Sequence, residues 1–257
     1  MNDIKIIFFD IDGTLIDMNK RHISEKMLDT LKRLKEKNII LCLSTGRSPL
    51  ALPHEIDADV YLTYNGSYCF RGKETIFSNP IPNKDVRTII ENASSINRPV
   101  LIATKDRMIA NGKDEDLVEY TSFAHLDVIV SDDFDHVVDT GKIYQVMSGC
   151  RESDYPTLMN GVRHARITAW WDRAVDIIPA NSGKGAGVNK ILAYYHLDKS
   201  EALAFGDGNN DIEMLKAAGH GVAMANGSDK LKEIADDICG SVSDDGIYHY
   251  CAAHGLI

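Results

Sequence analysis

Two carboxylates two residues apart, Asp10 and Asp12, end the apolar run Ile6-Ile7-Phe8-Phe9 and stand just before Gly13-Thr14. A short unbroken apolar run bounded by a turn residue is the pattern of a buried strand in a parallel sheet. Acids at the carboxyl end of such a strand sit where open α/β sheets take their ligands. Like charges this close need a counter-charge, most simply a divalent metal. Three further stretches carry residue types that belong with such a pair: Ser44-Thr45-Gly46-Arg47, Lys184 after Ser182-Gly183, and Gly206-Asp207-Gly208-Asn209-Asn210-Asp211. Together the four supply a nucleophilic acid, donors for phosphate oxygens, and extra carboxylates for a hard cation. Singly, each has a plainer explanation. Asp-x-Asp-Gly and Thr-Gly are common strand-end turns. A lysine at a helix start is usually solvated and unfavourable to the dipole, and gains a purpose only where an anion is bound. All four in one chain, in this order, are hard to explain as turn chemistry.

The elements that must position these residues follow from the pattern around them. Ser24 can cap a helix whose apolar positions are Met27, Leu28, Leu31 and Leu34. A second buried strand, residues 39–43, runs straight into Ser44. Strand, helix, strand is a βαβ unit, so the two strands are parallel and Thr45 lies towards Asp10 and Asp12. A third strand spans 60–64, Asn65-Gly66 reads as a tight hairpin turn, and short strands are predicted at 67–70 and 74–78. Asn79-Pro80-Ile81-Pro82-Asn83 is a linker, after which the pattern starts afresh. A helix capped by Asn83 and strands at 100–103 and 108–110 come next, then a helix over 116–123 and a strand over 127–130. A strand at 143–147, a helix at 155–162, and strands at 165–169 and 175–178 complete this stretch. Pro179 to Gly183 closes it. A helix over 184–195, a strand at 203–205, a helix over 212–218, a strand at 221–224 and helices at 229–235 and 247–253 finish the chain. The expected fold is α/β: a Rossmann-like parallel-sheet core in two segments, 1–82 and 180–257, with an α/β unit of residues 83–179 inserted between them.

The totals set bounds. The chain has 257 residues, 44% hydrophobic and 26% charged, an ordinary globular balance. Its net charge of −10 argues against a nucleic-acid backbone or an anionic membrane as main partner. A phosphorylated small substrate stays open, because a local metal and a lysine can dominate the field of one cleft. The cysteines, Cys42, Cys69, Cys150, Cys239 and Cys251, form no Cys-x-x-Cys pair and read as reduced thiols of a cytoplasmic protein. No run approaches the ~20 apolar residues of a membrane helix. The histidines show no zinc spacing, and Gly183-Lys184-Gly185-Ala186-Gly187 lacks the P-loop frame. A monomer or weak dimer is expected.

With these residues in hand, the chain resembles the haloacid dehalogenase superfamily. The hhhhDxDGT start, the Ser-Thr-Gly-Arg after the second strand, a lone lysine opening a later helix and the GDGxND loop match its four motifs, and the large insertion resembles the class IIB, Cof-type members. The resemblance covers essentially the whole chain. It implies a magnesium-dependent phosphatase acting on sugar phosphates or phosphorylated cofactors through an aspartyl-phosphate. Asp10 matches the nucleophile and Asp12 the general acid and base. Magnesium would be held by the side chains of Asp10 and Asp207 and the backbone carbonyl of Asp12, with Asp211 one step behind, through water. Thr45, the Gly46 amide, Lys184 and Asn210 would hold phosphoryl oxygens. The inserted unit would close over the cleft as a cap and select the substrate, with Trp170, Trp171, Asp172, Arg173 and Asn181 as candidate contacts. Cap core packing is the plainer role for the two tryptophans. Asn65 and Gly66 are weaker candidates at the cleft edge.

The residues alone also allow other readings. A hexose phosphomutase of the same superfamily would share the cap class but keep its phospho-aspartate from water. A receiver-like signalling module also gathers acids, a Thr or Ser and a Lys around magnesium. Such modules are about half this length, lack the insertion and do not place two acids on one strand end. A binding protein with a dead site is a further rival, but no motif residue is missing.

Overall fold

The computed structural model describes residues 3–20, 22–123, 126–169 and 171–257. In chain order the strands are β1 (Ile6–Phe9), β2 (Ile40–Ser44), β3 (Val60–Thr63), β4 (Tyr68–Arg71), β5 (Glu74–Ser78), β6 (Val100–Ala103), β7 (Met108–Ala110), β8 (Gln145–Gly149), β9 (Ala165–Thr168), β10 (Ala174–Pro179), β11 (Ala202–Gly206), β12 (His220–Met224) and β13 (Asp237–Cys239). They form two sheets in two units.

The first unit comprises Met1–Gly46, Pro53–Phe77 and Gly183–Ile257. Its sheet has the order β13-β12-β11-β1-β2-β3-β4-β5. From β13 to β3 every pairing is parallel, and β4 returns antiparallel to β3. All four residues of β1 are buried, as a strand covered on both faces requires. One face packs Ile6, Phe8, Cys42, Leu62 and Ala204 against Val188 and Ile191 of the helix Lys184–Tyr195 and Met214 of the helix Ile212–Ala217. On the other face Phe9 stacks on Phe205 at 5.5 Å, and Tyr250 of the helix Gly246–Ala253 meets Phe205 edge-on. Ser24 caps the helix Glu25–Glu36 by accepting the Met27 N–H at 3.0 Å. Between β3 and β4 the chain turns through Tyr64–Ser67, longer than the two-residue hairpin expected at Asn65-Gly66. Tyr64, Asn65 and Gly66 all have positive φ there.

The second unit comprises Arg47–Leu52 and Ser78–Ser182. Its sheet, β7-β6-β8-β10-β9, is antiparallel throughout. Val100, Ile102, Val146, Val175 and Ile177 share one face with Val86 and Ile89 of the helix Asn83–Ser95 and Val137 and Val138 of the helix Phe134–Thr140. By the two-residue alternation of strands, Leu101, Gln145, Met147, Asp176 and Arg166 lie on the opposite face. Asn83 does not cap its helix; its amide donates to the carbonyls of Val138 and Asp139, and Pro82 takes the cap position.

Several expectations fail in this unit. Residues 127–130 are not a strand. Val130 makes a single bridge to Ala110, and Ile129 and Val130 are 58% and 52% exposed. A β-branched run needs a partner on its edge, and here only one residue finds it. The helix expected over 155–162 ends at Leu158, and Gly161 turns the chain with φ +76°. Trp171 lies in a bend between β9 and β10. No described helix is long and apolar enough to cross a membrane.

Candidate active site

Parallel strands deliver their carboxyl ends to one edge. That edge of the first unit holds Asp10 after β1, Thr45 after β2, Asp207 after β11 and Asn226 two residues after β12. The Asp10 N–H donates to the Phe205 carbonyl at 3.0 Å, which seats Asp10 beside the Gly206-Asp207 turn. Lys184 opens its helix with Gly183 at the cap position. Gly66 lies so close to Gly183 that a Cβ on it would fall 2.2 Å from the Gly183 carbonyl oxygen. Only a glycine, at φ +89°, allows the 64–66 turn to lie against the start of the lysine helix.

Lys184 is fully buried, and its ammonium donates to Asp10 Oδ1 at 2.5 Å and to Asp211 Oδ1 at 2.6 Å. The second oxygen of Asp211 accepts the N–H groups of Asp207, at 3.1 Å, and Gly208, at 2.9 Å. The Thr14 hydroxyl donates to Asp207 Oδ1 at 3.0 Å. One oxygen from each of Asp10, Asp207 and Asp211 lies within 4.8 Å of the others. Asp211, expected one step behind the metal, therefore reaches the same space as the other two acids. Both its oxygens are already engaged, so it acts here as the anchor of Lys184 and of the Asp207 turn. Asp12 is half-buried in the one-turn loop that follows Asp10, where Thr14, Leu15 and Ile16 all donate to the Ile11 carbonyl.

Thr45 is buried; its N–H donates to the Leu62 carbonyl and its own carbonyl accepts the Asn65 N–H. Asn65 accepts the Asn210 amide at 3.3 Å, and its own amide would lie 3.0 Å from a Cβ on Gly46. Asn65 thus links three of the four phosphate-oxygen donors named from the sequence, Thr45, Gly46 and Asn210.

The charges are unbalanced. Burial lifts the Asp10 carboxyl well above the ordinary carboxylate range; Lys184 opposes this, while Asp211, Asp207 and Asp12 add to it. Burial, then Asp211, raises Asp207 to about 6. Burial alone would lower Lys184, but Asp10 and Asp211 more than offset it and keep the ammonium charged. Three carboxylates face one ammonium. An all-oxygen set this crowded and this short of positive charge fits a hard divalent cation such as magnesium.

The candidate selectivity residues lie in the second unit. Trp170 is outside the described residues. Trp171 stacks on Tyr120 at 5.9 Å and meets Phe123 edge-on, with the Arg173 guanidinium 4.4 Å over its ring. Arg173 also pairs with Asp116 and Glu119. Both residues therefore have packing partners within their own unit. Asp172 is exposed. Asn181 accepts the Asn79 amide at 3.0 Å, tying together the two chain crossings that bound the insertion.

Sequence reasoning gave no role to Thr14 and did not find Asn226, whose amide donates to the Gly13 carbonyl at 2.8 Å. The signal for Asn226 was present: Ala225-Asn226-Gly227 directly follows a buried strand, as Thr45 and Asp207 do.

Residues 7–251 match the family of haloacid dehalogenase-like hydrolases. The 5-amino-6-(5-phospho-D-ribitylamino)uracil phosphatase YitU of Bacillus subtilis is 29% identical over 266 residues, covering 95% of each chain. The HMP-PP phosphatase of Shigella flexneri serotype 5b is 30% identical over 89% of this chain and 86% of its own. Among solved structures, the subclass IIB sugar phosphatase BT4131 superposes with a TM-score of 0.88 at 26% identity, over 98% of this chain and 100% of that one. The chain belongs to the haloacid dehalogenase-like hydrolases, and the relatives it is similar to are phosphatases of that family.

Proposed function

We propose that this protein hydrolyses small phosphate monoesters, sugar phosphates or phosphorylated cofactors, through a phosphorylated Asp10 and with magnesium. The observation that carries this is the buried Lys184 ammonium shared between Asp10 and Asp211, with the Asp207 carboxylate alongside. An anionic oxygen that must approach an anionic phosphoryl group is opposed by repulsion of several kcal/mol in a partly dry site. Lys184 lowers that repulsion and stabilises charge on the equatorial oxygens.

The chemistry balances in two steps. An Asp10 oxygen bonds to phosphorus as the bond to the leaving oxygen breaks, and Asp12 gives its proton to the departing alcohol. Water then bonds to phosphorus, Asp12 takes its proton, and the bond from phosphorus to Asp10 breaks to free phosphate. Thr45, the Gly46 N–H and Asn210 hold the remaining phosphoryl oxygens. The side chains of Asp10 and Asp207 and the Asp12 carbonyl are the groups that would hold magnesium. When bound, the ion supplies the positive charge that the three acids lack.

The inserted unit selects the ester in this account. Trp171, Arg173 and Asn181 remain candidates for that task. The free, buried cysteines suit a reducing cytoplasmic setting.

Release of inorganic phosphate from a panel of phosphate esters tests the whole proposal. Asp10→Asn should abolish release and leave the fold intact; near wild-type turnover would remove Asp10 as nucleophile. EDTA should stop release and magnesium restore it. Activity that persists in chelator contradicts the metal assignment. Isomerised phosphosugar in place of free phosphate would instead identify a mutase.

A further inference from the structure

We infer that Asn226 is a positioning residue of this site, holding the turn that carries Asp12 in register with the turn that carries Asp207. The inference rests on the phosphatase reading above and deepens it.

Asn226 makes two opposite kinds of hydrogen bond. Its Nδ2 donates to the Gly13 carbonyl at 2.8 Å. Its Oδ1 accepts the Val242 N–H at 2.9 Å and the Ser241 hydroxyl at 3.3 Å. A backbone N–H must face an oxygen and a carbonyl must face an N–H, so the amide has one usable orientation. The Val242 bond fixes the amide, and the amide fixes Gly13.

What it fixes matters because of where Gly13 lies. At φ +86° its Cα presses against Asp207, and a Cβ there would fall 2.2 Å from Asp207 Oδ2. The Gly13 N–H donates to the Ile16 carbonyl, closing the loop that begins at Asp10. The peptide whose oxygen Asn226 holds joins Gly13 to Thr14, and the Thr14 hydroxyl holds Asp207 Oδ1. Two residues beyond Asn226, the Ser228 N–H donates to the Asp207 carbonyl at 2.9 Å. The segment 226–228 thus grips both turns, one through a side chain and the other through the backbone. Free Asn226 from Gly13 and the turn of Asp12 and the orientation of Asp207 loosen together. Lys184 and Thr45 are untouched by that change, so phosphate binding should survive it.

The test compares Asn226→Ala with Asn226→Asp in the full chain. Asp keeps the shape and the acceptor for Val242 but turns a second acceptor towards the Gly13 carbonyl. Magnesium binding, measured by calorimetry without substrate, should weaken about 10–100-fold in both variants, the usual scale for groups that orient metal ligands. Turnover of p-nitrophenyl phosphate should fall in kcat with KM nearly unchanged. Amide exchange in metal-free protein should quicken over residues 11–17 and 206–211 and stay as in wild type over the inserted unit. Wild-type magnesium affinity and wild-type exchange in both variants would overturn the inference. So would faster exchange throughout the first unit, which would make Asn226 merely structural. If wild type releases no phosphate from any ester, the phosphatase reading fails, while the exchange experiment still decides the role of Asn226.

Discussion

Asp10 and Asp116 are both buried acids surrounded by charge, yet folding pushes them in opposite directions. Asp116 lies in the inserted unit, within reach of Arg98, Arg151 and Arg173 at 3.1, 3.0 and 3.7 Å. Its carboxyl is held below the ordinary value, chiefly by the hydrogen bond from Arg151; burial opposes this and the three guanidinium charges add to it. Among the described residues Asp10 has one cation, Lys184, and shares it with Asp211. Its carboxyl is raised. The cluster around Asp116 balances its acid with guanidinium groups of its own unit. The cluster around Asp10 is stable as a carboxylate group only with more positive charge than the chain provides. A fold tolerates that shortage where a ligand makes it good, which separates a site from a strut.

Lys184→Ala should break this contrast most severely. It removes the only described cation from the buried acids, so phosphate release should fall at least ~10²-fold, the scale of losing one fixed transition-state donor. In chelator the thermal midpoint should drop too, since stranding a buried charge costs about 3–5 kcal/mol. Magnesium should recover part of that midpoint; no recovery would mean the acids do not hold the ion. Next in size, Asp116→Asn should destabilise by about 2 kcal/mol by weakening charged hydrogen bonds, while turnover of p-nitrophenyl phosphate stays within a few-fold of wild type. A large loss of kcat would put Asp116 in the chemistry.

The pH dependence should differ in sign between the clusters. A carboxyl raised on folding binds its proton more tightly in the native chain. Falling pH through about 6, where Asp207 titrates, therefore stabilises the metal-free protein. A carboxyl lowered on folding stabilises above its unfolded value near ~4 and loses that contribution as pH falls further. Asp116 is one such group. Asp85 is another: burial would raise it, but the N–H groups of His164 and Arg163 more than offset that. In EDTA, denaturation midpoints should rise from about pH 7 to pH 5 and fall below about pH 4. Steady loss from pH 7 downwards would erase the distinction. If the ionised acids hold magnesium as proposed, the ion should flatten the upper slope. The smallest effect belongs to Arg98→Lys, which keeps the charge but loses the guanidinium Nη1 that donates to both Asp114 and Asp116. It should cost no more than about 1 kcal/mol, read in urea.

Much of the first unit was legible because its signals are local. Ile6 to Phe9 is apolar without a break, so a doubly covered strand was the only economical use for it, and an acid after such a strand falls on the ligand edge. β6 and β7 were likewise legible to the residue. The inserted unit was harder. The run Asp127-Val128-Ile129-Val130 has strand chemistry, but whether it finds an edge depends on residues elsewhere. The helix Phe134–Thr140 is too short for periodicity to stand out. Trp171 meets Tyr120 and Phe123, about fifty residues earlier in the chain, and no local pattern reports that. Asn226 carried a positional signal, the buried strand before it, but asparagine after a strand is also ordinary turn chemistry, and its bond to Gly13 is what distinguishes it.

The strand that carries Asp10 waits for its partner. β1 pairs on one side with β2, made early, and on the other with β11, which leaves the ribosome about 200 residues later. At roughly 5–20 residues per second that delay is some tens of seconds. For that interval one edge of an entirely apolar strand has no neighbour, while Ser78–Ser182 emerges as one uninterrupted piece of chain that can fold meanwhile. In a nascent polypeptide the strand that leads into Asp10 is then the point most exposed to wrong pairing, and a truncation before Ala202 should yield aggregates seeded there.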